Sequence, residues 1–303
     1  MIVRPRPKAM ELLVLMKGST VPKIAPQLGV VFGFAVAVML IERHYAGAFR
    51  SFAPAPFTLM GIALSVFLGF RNNACYDRWW EARKHWGHLI LEARSFARLV
   101  VTLLPKDERS TRLLRETIAF AYAAGAYLRG AEMPAEVAQY CSDETRRSAG
   151  QCRNVPDAIL RRMEADIVAS LKEGVITDIL FTSFNDLLNE MSSVQVACER
   201  IASTPTPFTY SLLLHRTAYL FCFLLPFSLV TTLGYATPLF CVVVAYTFFG
   251  LDALGDELED PFGDNLNALP LTALARTIEV NVLEAMGAEE LPSALLPVDS
   301  VLV

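Results

Sequence analysis

Two stretches without a charged side chain set the terms for this sequence. Residues 24–41 read IAPQLGVVFGFAVAVMLI and residues 52–70 read FAPAPFTLMGIALSVFLGF. At about 1.5 Å per helical residue, each comes close to the ~30 Å thickness of a bilayer's hydrocarbon layer. Backbone polar groups in lipid must be satisfied within the segment, which commits such runs to helix. Pro54 and Pro56 stand at the start of the second run, where a missing N–H does little harm. The hinge between the runs holds Glu42, Arg43 and Arg50, so the pair is expected to form a helical hairpin. A cleaved leader is the competing explanation of the first run, with a basic start before it and Ala46-Gly47-Ala48 after it. The run is too long for that role, and Glu42, Arg43 and His44 separate it from the small residues, so it is expected to remain as a span.

The rest of the chain divides by composition. Residues 71–206 alternate apolar and charged positions at helical spacing, with helices expected over 75–104, 111–129, 157–171 and 178–202. The stretch 132–156 is polar and broken by Pro134, Gly150 and Pro156. Beyond Pro205 and Pro207 lie two further apolar runs, 217–230 and 237–251, joined by an uncharged turn containing Gly234. Acidic residues then return, and an amphipathic helix is expected over 271–286. No β pattern is visible. The expected fold is therefore all-α, a multi-pass membrane protein with about four transmembrane helices and a large cytoplasmic helical domain. Its segments are an N-terminal stretch (1–23), a transmembrane hairpin (24–70), a helical domain (71–206), a second hairpin (207–251) and an acidic segment with a helix and loose tail (252–303). Only 19% of residues are charged and mean hydropathy is +0.38, above the usual range of a soluble domain.

Lys and Arg beside the spans set the orientation. Arg4, Arg6, Lys8, Lys17 and Lys23 precede the first, and Arg71, Arg78, Arg83 and Lys84 follow the second. The 42–51 hinge has only Arg43 and Arg50, and the 231–236 turn has neither type. Both termini and the middle domain are expected in the cytoplasm. The net charge of −4 offers no basic field for nucleic acid. The six cysteines form no CxxC pair and read as reduced apolar fillers.

The second span carries the most information. Gly61, Ser65 and Gly69 form a small-residue stripe suited to close helix packing. About 100° around the helix runs the bulky stripe Ile62, Val66 and Phe70. Two readings are open for it: ordinary core or lipid contact, or a ring around a shared axis that gates by dewetting. Gly29 and Gly33 are a second packing signal. Trp79, Trp80 and Trp86 lie among Arg78, Glu81, Arg83 and Lys84, as an aromatic belt at the membrane surface or as part of a pore vestibule. Asp256, Glu257, Glu259 and Asp260 are either a solvated helix end or oxygen ligands for calcium, without EF-hand spacing. His85 and His88 read as a surface pair. No P-loop, GxGxxG, GxSxG or HExxH occurs, so neither an enzyme nor a cofactor or metal site is expected.

Four stretches together resemble the bestrophin family in a bacterial form. They are the run from Ala55 to Asn73, Tyr76-Asp-Arg-Trp-Trp-Glu-Ala-Arg, Cys198-Glu-Arg-Ile-Ala-Ser-Thr-Pro-Thr-Pro-Phe, and Glu259-Asp-Pro-Phe-Gly. The resemblance covers about residues 1–286. It implies a homopentamer in the bacterial inner membrane that passes small monovalent ions through one central pore. The family's hydrophobic neck maps to Ile62, Val66 and Phe70, and its cytoplasmic constriction to Ile179. The family is described as anion (chloride) channels, its animal members opened by calcium held in an acidic run after Pro-Phe-Gly. Here that run is Asp264-Asn-Leu-Asn-Ala-Leu, mostly without charge, which argues against calcium gating. Two other classes compete: a secondary transporter, for which Pro226 and Pro238 hint at broken helices, and a membrane-anchored signalling or enzymatic protein using the 71–206 domain.

Overall fold

The computed structural model describes residues 1–4, 8, 10–11, 15–50 and 52–302. Arg6, one of the basic residues in the orientation argument, lies outside them. The described residues are all-helical and contain no β-strand, only isolated bridges at Ile2–Val301 and Val298–Val301. The helices are α1 (Val21–His44), α2 (Pro54–Leu103), α3 (Glu108–Arg129), α4 (Ala135–Tyr140), α5 (Asp143–Ala149), α6 (Val155–Lys172), α7 (Asp178–Ser203), α8 (Phe208–Leu233), α9 (Thr237–Glu259) and α10 (Leu271–Met286). A 3-10 turn at Gly234–Ala236 joins α8 to α9. By length and composition, three stretches among the described residues can cross a membrane: α1, α2, and the pair α8–α9.

The chain forms two compact units. The apolar unit comprises Pro5–Trp79 and Pro205–Asp260. In it α1, α8 and α9 pack against one another. The buried side of α1 is Ile24, Val31, Ala35 and Val38, a spacing near 3.5 residues, while Val30, Phe32, Leu40 and Ile41 are exposed. A helix apolar on all sides belongs to a hydrocarbon surrounding rather than to water. Cys222, Ala218, Cys241 and Ala245 fill the helix contacts, small residues that let backbones approach where lipid offers no hydrophobic drive. One end of the unit is tied by its hinges. Glu42 accepts hydrogen bonds from the Gly47 and Phe49 amides at 2.9 and 3.0 Å, and the Arg43 guanidinium lies 5.0 Å over the Tyr235 ring. Residues 42–49 and the 231–236 turn thus share one end. Pro226 and Pro238 break nothing: α8 continues through the first, and the second sits in the first turn of α9.

The other unit comprises Met1–Arg4, Trp80–Thr204 and Pro261–Val303. Its centre is α3, buried almost continuously from Leu113 to Ala126 and packed against α4, α6, α7 and α10. Asp107 starts α3 with a capping box: its carboxylate accepts from the Ser110 amide at 2.8 Å and the Ser110 hydroxyl accepts from its amide at 3.1 Å. The polar stretch 132–156 holds α4 and α5, too short for periodicity to reveal. Trp86 departs from both readings of the tryptophans. It is fully buried, with its ring against the Cβ-less face of Gly125, so it is core and not a surface belt. The sequence breaks α2 between Phe70 and Cys75, whereas the helix runs unbroken, because Arg71-Asn-Asn-Ala holds neither Pro nor Gly.

Five thiols are buried and Cys152 is partly exposed. Burial pushes the Cys141 and Cys198 thiols up to about 12. Buried acids are held individually. Glu279 accepts from the Tyr122 and Tyr140 hydroxyls at 2.5 and 2.7 Å and forms an ion pair with Arg276 at 2.9 Å. Asp166 holds Arg112 through both oxygens at 2.7 and 3.0 Å. Glu116 is less well served: Oε1 accepts from Thr145 and Ser142, but buried Oε2 has no partner. Burial therefore raises its carboxyl above the usual range, outweighing the two hydroxyls. A folded-state value above the unfolded one supports stability below the unfolded value and loses that support as pH rises through the folded value. Glu116→Gln should therefore melt higher than the parent at pH 8 and converge with it toward pH 4, read by thermal unfolding in detergent.

Candidate pore helix and its charged brace

On α2, burial picks out one line. Leu64, Leu68, Arg71 and Cys75 are buried, and at about 100° per residue they form one line facing the unit's own core. Ile62, Val66 and Phe70 lie on the opposite side and are 58%, 48% and 61% exposed. Leu59, one turn earlier on the same face, is also exposed and extends the stripe, a member that the four-residue repeat alone did not pick out. The small stripe is used unevenly. A Cβ on Gly61 would stand 3.2 Å from the Phe221 ring, so α8 packs there; Ser65 Oγ donates to the Gly61 carbonyl at 2.8 Å; Gly69 faces no atom within 4 Å. Gly29 and Gly33 likewise face none. In the other unit, Ile179 is 80% exposed in the first turn of α7, beside the capping residue Thr177.

One residue past Phe70, the apolar helix meets a buried charge. Arg71 is 1% exposed. One terminal nitrogen donates to Asp252 Oδ1 at 2.7 Å and to the Asp252 carbonyl at 3.3 Å. The other pairs with Asp256 and lies 3.5 Å from Glu259 Oε2. Gly255 makes the room: a Cβ there would come within 3.2 Å of the guanidinium carbon and 2.7 Å of Asn72 Oδ1. Asp252 Oδ2 in turn meets His215 Nδ1 at 2.6 Å. Lys23 holds Glu257 at 2.6 Å, Glu259 Oε1 accepts from the Thr206 amide at 3.0 Å, and Arg78 Nε donates to the Glu259 carbonyl at 2.7 Å.

The acidic end of α9 is therefore only partly solvated, at Asp256 and Asp260, and is not an open set of oxygen ligands. Asp252 and Glu257 are buried, and the chain's own cations occupy its carboxylates. Among the described residues, no cluster of three or more His, Cys, Asp or Glu could hold a metal ion. His85 and His88 each face a carboxylate one turn away on α2, Glu81 at 3.6 Å and Glu92 at 3.0 Å. The triad Arg71–Asp252–His215 escaped the sequence reading, although its signal was present. Arg71 and Asp252 directly border apolar runs and His215 stands one residue short of another, so helices of similar length bring the three to one level.

Known proteins resemble this chain over most of its length. A family model described as Bacterial/Fungal Bestrophin protein matches residues 1–284. A voltage-dependent anion channel-forming protein of Mesorhizobium japonicum is 44% identical over 302 residues, covering 99% of this chain and 96% of that protein. The voltage-dependent anion channel-forming protein YneE of Escherichia coli is 42% identical over 297 residues, 98% of each. A crystal structure of a bacterial bestrophin homologue from Klebsiella pneumoniae matches with a TM-score of 0.84 at 35% identity, over 88% of this chain and 100% of that one.

A buried ion pair that loses one member leaves a stranded charge, at a cost of about 3–5 kcal/mol. Asp252→Ala should lower the thermal midpoint in detergent well beyond Asp256→Ala, because the Asp256 side chain is largely open to solvent. Equal losses from the two variants would remove the account of Asp252 as the main brace.

Proposed function

This chain belongs to the bacterial and fungal bestrophin family, and from that premise we propose that it is a passive ion channel whose pore is lined by α2 from several copies. The observation that carries the reading is the exposed apolar face Ile62, Val66 and Phe70 on an uncharged helix, turned away from its own subunit's core. A monomer gains nothing from such a face in water. Copies arranged about an axis turn it into a narrow apolar neck that opens and closes by wetting. The relatives named as anion channel-forming proteins support the same assignment. Uncharged spans and helices unbroken at Pro226 favour a channel over a carrier, whose binding site needs polar or interrupted helices at mid-membrane.

In finer detail, we read four crossings, with α8 and α9 each crossing once. Both termini and the 71–206 domain lie in the cytoplasm, in the inner membrane of a bacterium. The assembly is a homopentamer passing small monovalent ions, with Ile179 as a second, cytoplasmic constriction. Gly69, bare in the single chain, suits contact with a neighbouring copy.

Purified protein in a planar bilayer should give unitary currents that follow the electrochemical gradient. Saturating flux without unitary currents would falsify the channel reading in favour of a carrier. Replacing Ile62, Val66 and Phe70 together with Ala should widen the neck and raise single-channel conductance or open probability. An unaltered current from the triple variant would move the neck elsewhere.

A further inference from the structure

The brace behind the pore helix holds one imidazole among its carboxylates and guanidinium. Histidine titrates between about pH 5 and 8, where carboxylates and guanidinium groups ordinarily hold their charge. His215 is half exposed and lines a cavity of about 170 Å³ with Lys23, Gln27, Tyr219 and Phe249, so protons from solution reach it. Its Nδ1 lies 2.6 Å from Asp252 Oδ2, and the other oxygen of that carboxylate takes Arg71 at 2.7 Å. Arg71 follows Phe70 directly on α2. A chain of two hydrogen bonds thus links an accessible imidazole to the residue beside the last bulky side chain of the pore face.

We propose that His215 is a regulatory proton-binding site, whose protonation changes how Asp252 is shared between His215 and Arg71 and thereby sets the opening of the pore. The inference rests on the channel reading above. One carboxylate serves two donors here. A neutral imidazole offers it a dipole, whereas an imidazolium offers a full charge and competes with the guanidinium. Arg71 has no exposure through which water could compensate, so the change falls on its remaining partners, Asp256 and Glu259. The charged and titratable groups around the imidazole come from each helix packed there. Asp252 and Asp256 come from α9, Arg71 from α2 and Lys23, paired with Glu257, from α1. On α8 itself the Tyr219 ring stands 4.6 Å from the imidazole, centre to centre. Protonation changes this set by one unit of charge at the end of the uncharged span.

The test uses the full-length protein in planar bilayers between about pH 5 and 8, with His215→Gln, which keeps a donor for Asp252, and His85→Gln as a control on another part of α2. The parent should show an open probability that changes several-fold along a single-proton curve. His215→Gln should flatten that curve while still passing current, and His85→Gln should keep it. An independent reading comes from ¹⁵N imidazole spectra of the detergent-solubilised parent, in which the His215 signal, assigned by its loss in His215→Gln, should titrate within the same range. A parent without pH response, a His215→Gln variant that responds like the parent, or a His215 ring that does not titrate in that range each overturns the inference. If current is absent at every pH, the channel reading falls and takes this one with it. Persistent current with an unaltered pH response defeats the inference alone.

Discussion

A guanidinium buried one residue beyond an uncharged span is the most demanding contact in this protein. Burying a charge away from water is tolerated only when it is paired and hydrogen-bonded. Arg71 meets most of that demand, leaving only its Nε unpaired, by drawing three carboxylates from α9, 181 to 188 residues away in sequence, against the end of α2. Much else in the apolar unit is arranged so that this can happen. α8 and α9 join through a turn of three residues, Gly255 leaves space for the guanidinium, and His215 and Thr206 satisfy the oxygens that Arg71 does not. Fixing Arg71 also fixes the rotation of α2. With Leu64 and Leu68 on the same line as Arg71, the bulky face has only one way to point, and that is outward.

The two units are stabilised by different physics. In the apolar unit, small residues and aromatic edges fill the helix contacts, as between Phe221 and Phe248 at 5.2 Å, and the outer surfaces remain apolar. In the other unit α3 is enclosed on its sides, and ion pairs such as Arg112 with Asp166 and Arg109 with Glu173 tie it to later segments. Glu116 keeps one buried oxygen without a donor, and buried nitrogens of Trp86, Arg129 and Arg162 likewise lack an acceptor.

How much of this was legible beforehand follows from the range of each interaction. Apolar periodicity is local, and it placed α6, α7 and α10 within a few residues of their observed ends. It also isolated the face of Ile62, Val66 and Phe70 as a line on the helix. What that line faces could not be read, because the answer depends on which residues of other helices occupy the opposite side. The pairing of Arg71 with Asp252 was hidden for the same reason: in the sequence one is a basic flank and the other an acidic flank. Trp86 misled because its charged neighbours imitate an interfacial belt, whereas its burial depends on Gly125, 39 positions later. The short helices α4 and α5 were invisible because six or seven residues hold too little periodicity.

The uneven burial of the cysteines gives the protein a built-in clock for its own unfolding. Only the thiolate reacts readily with alkylating reagents. Cys141 and Cys198 are both enclosed and held as thiols, Cys222 and Cys241 are sealed among apolar helices, and Cys152 alone offers a partly open sulfur. A mass spectrum taken after brief alkylation therefore counts enclosed sulfurs directly. Each added label reports that a particular layer of helices has come apart, and the order of labelling maps which layer separates first.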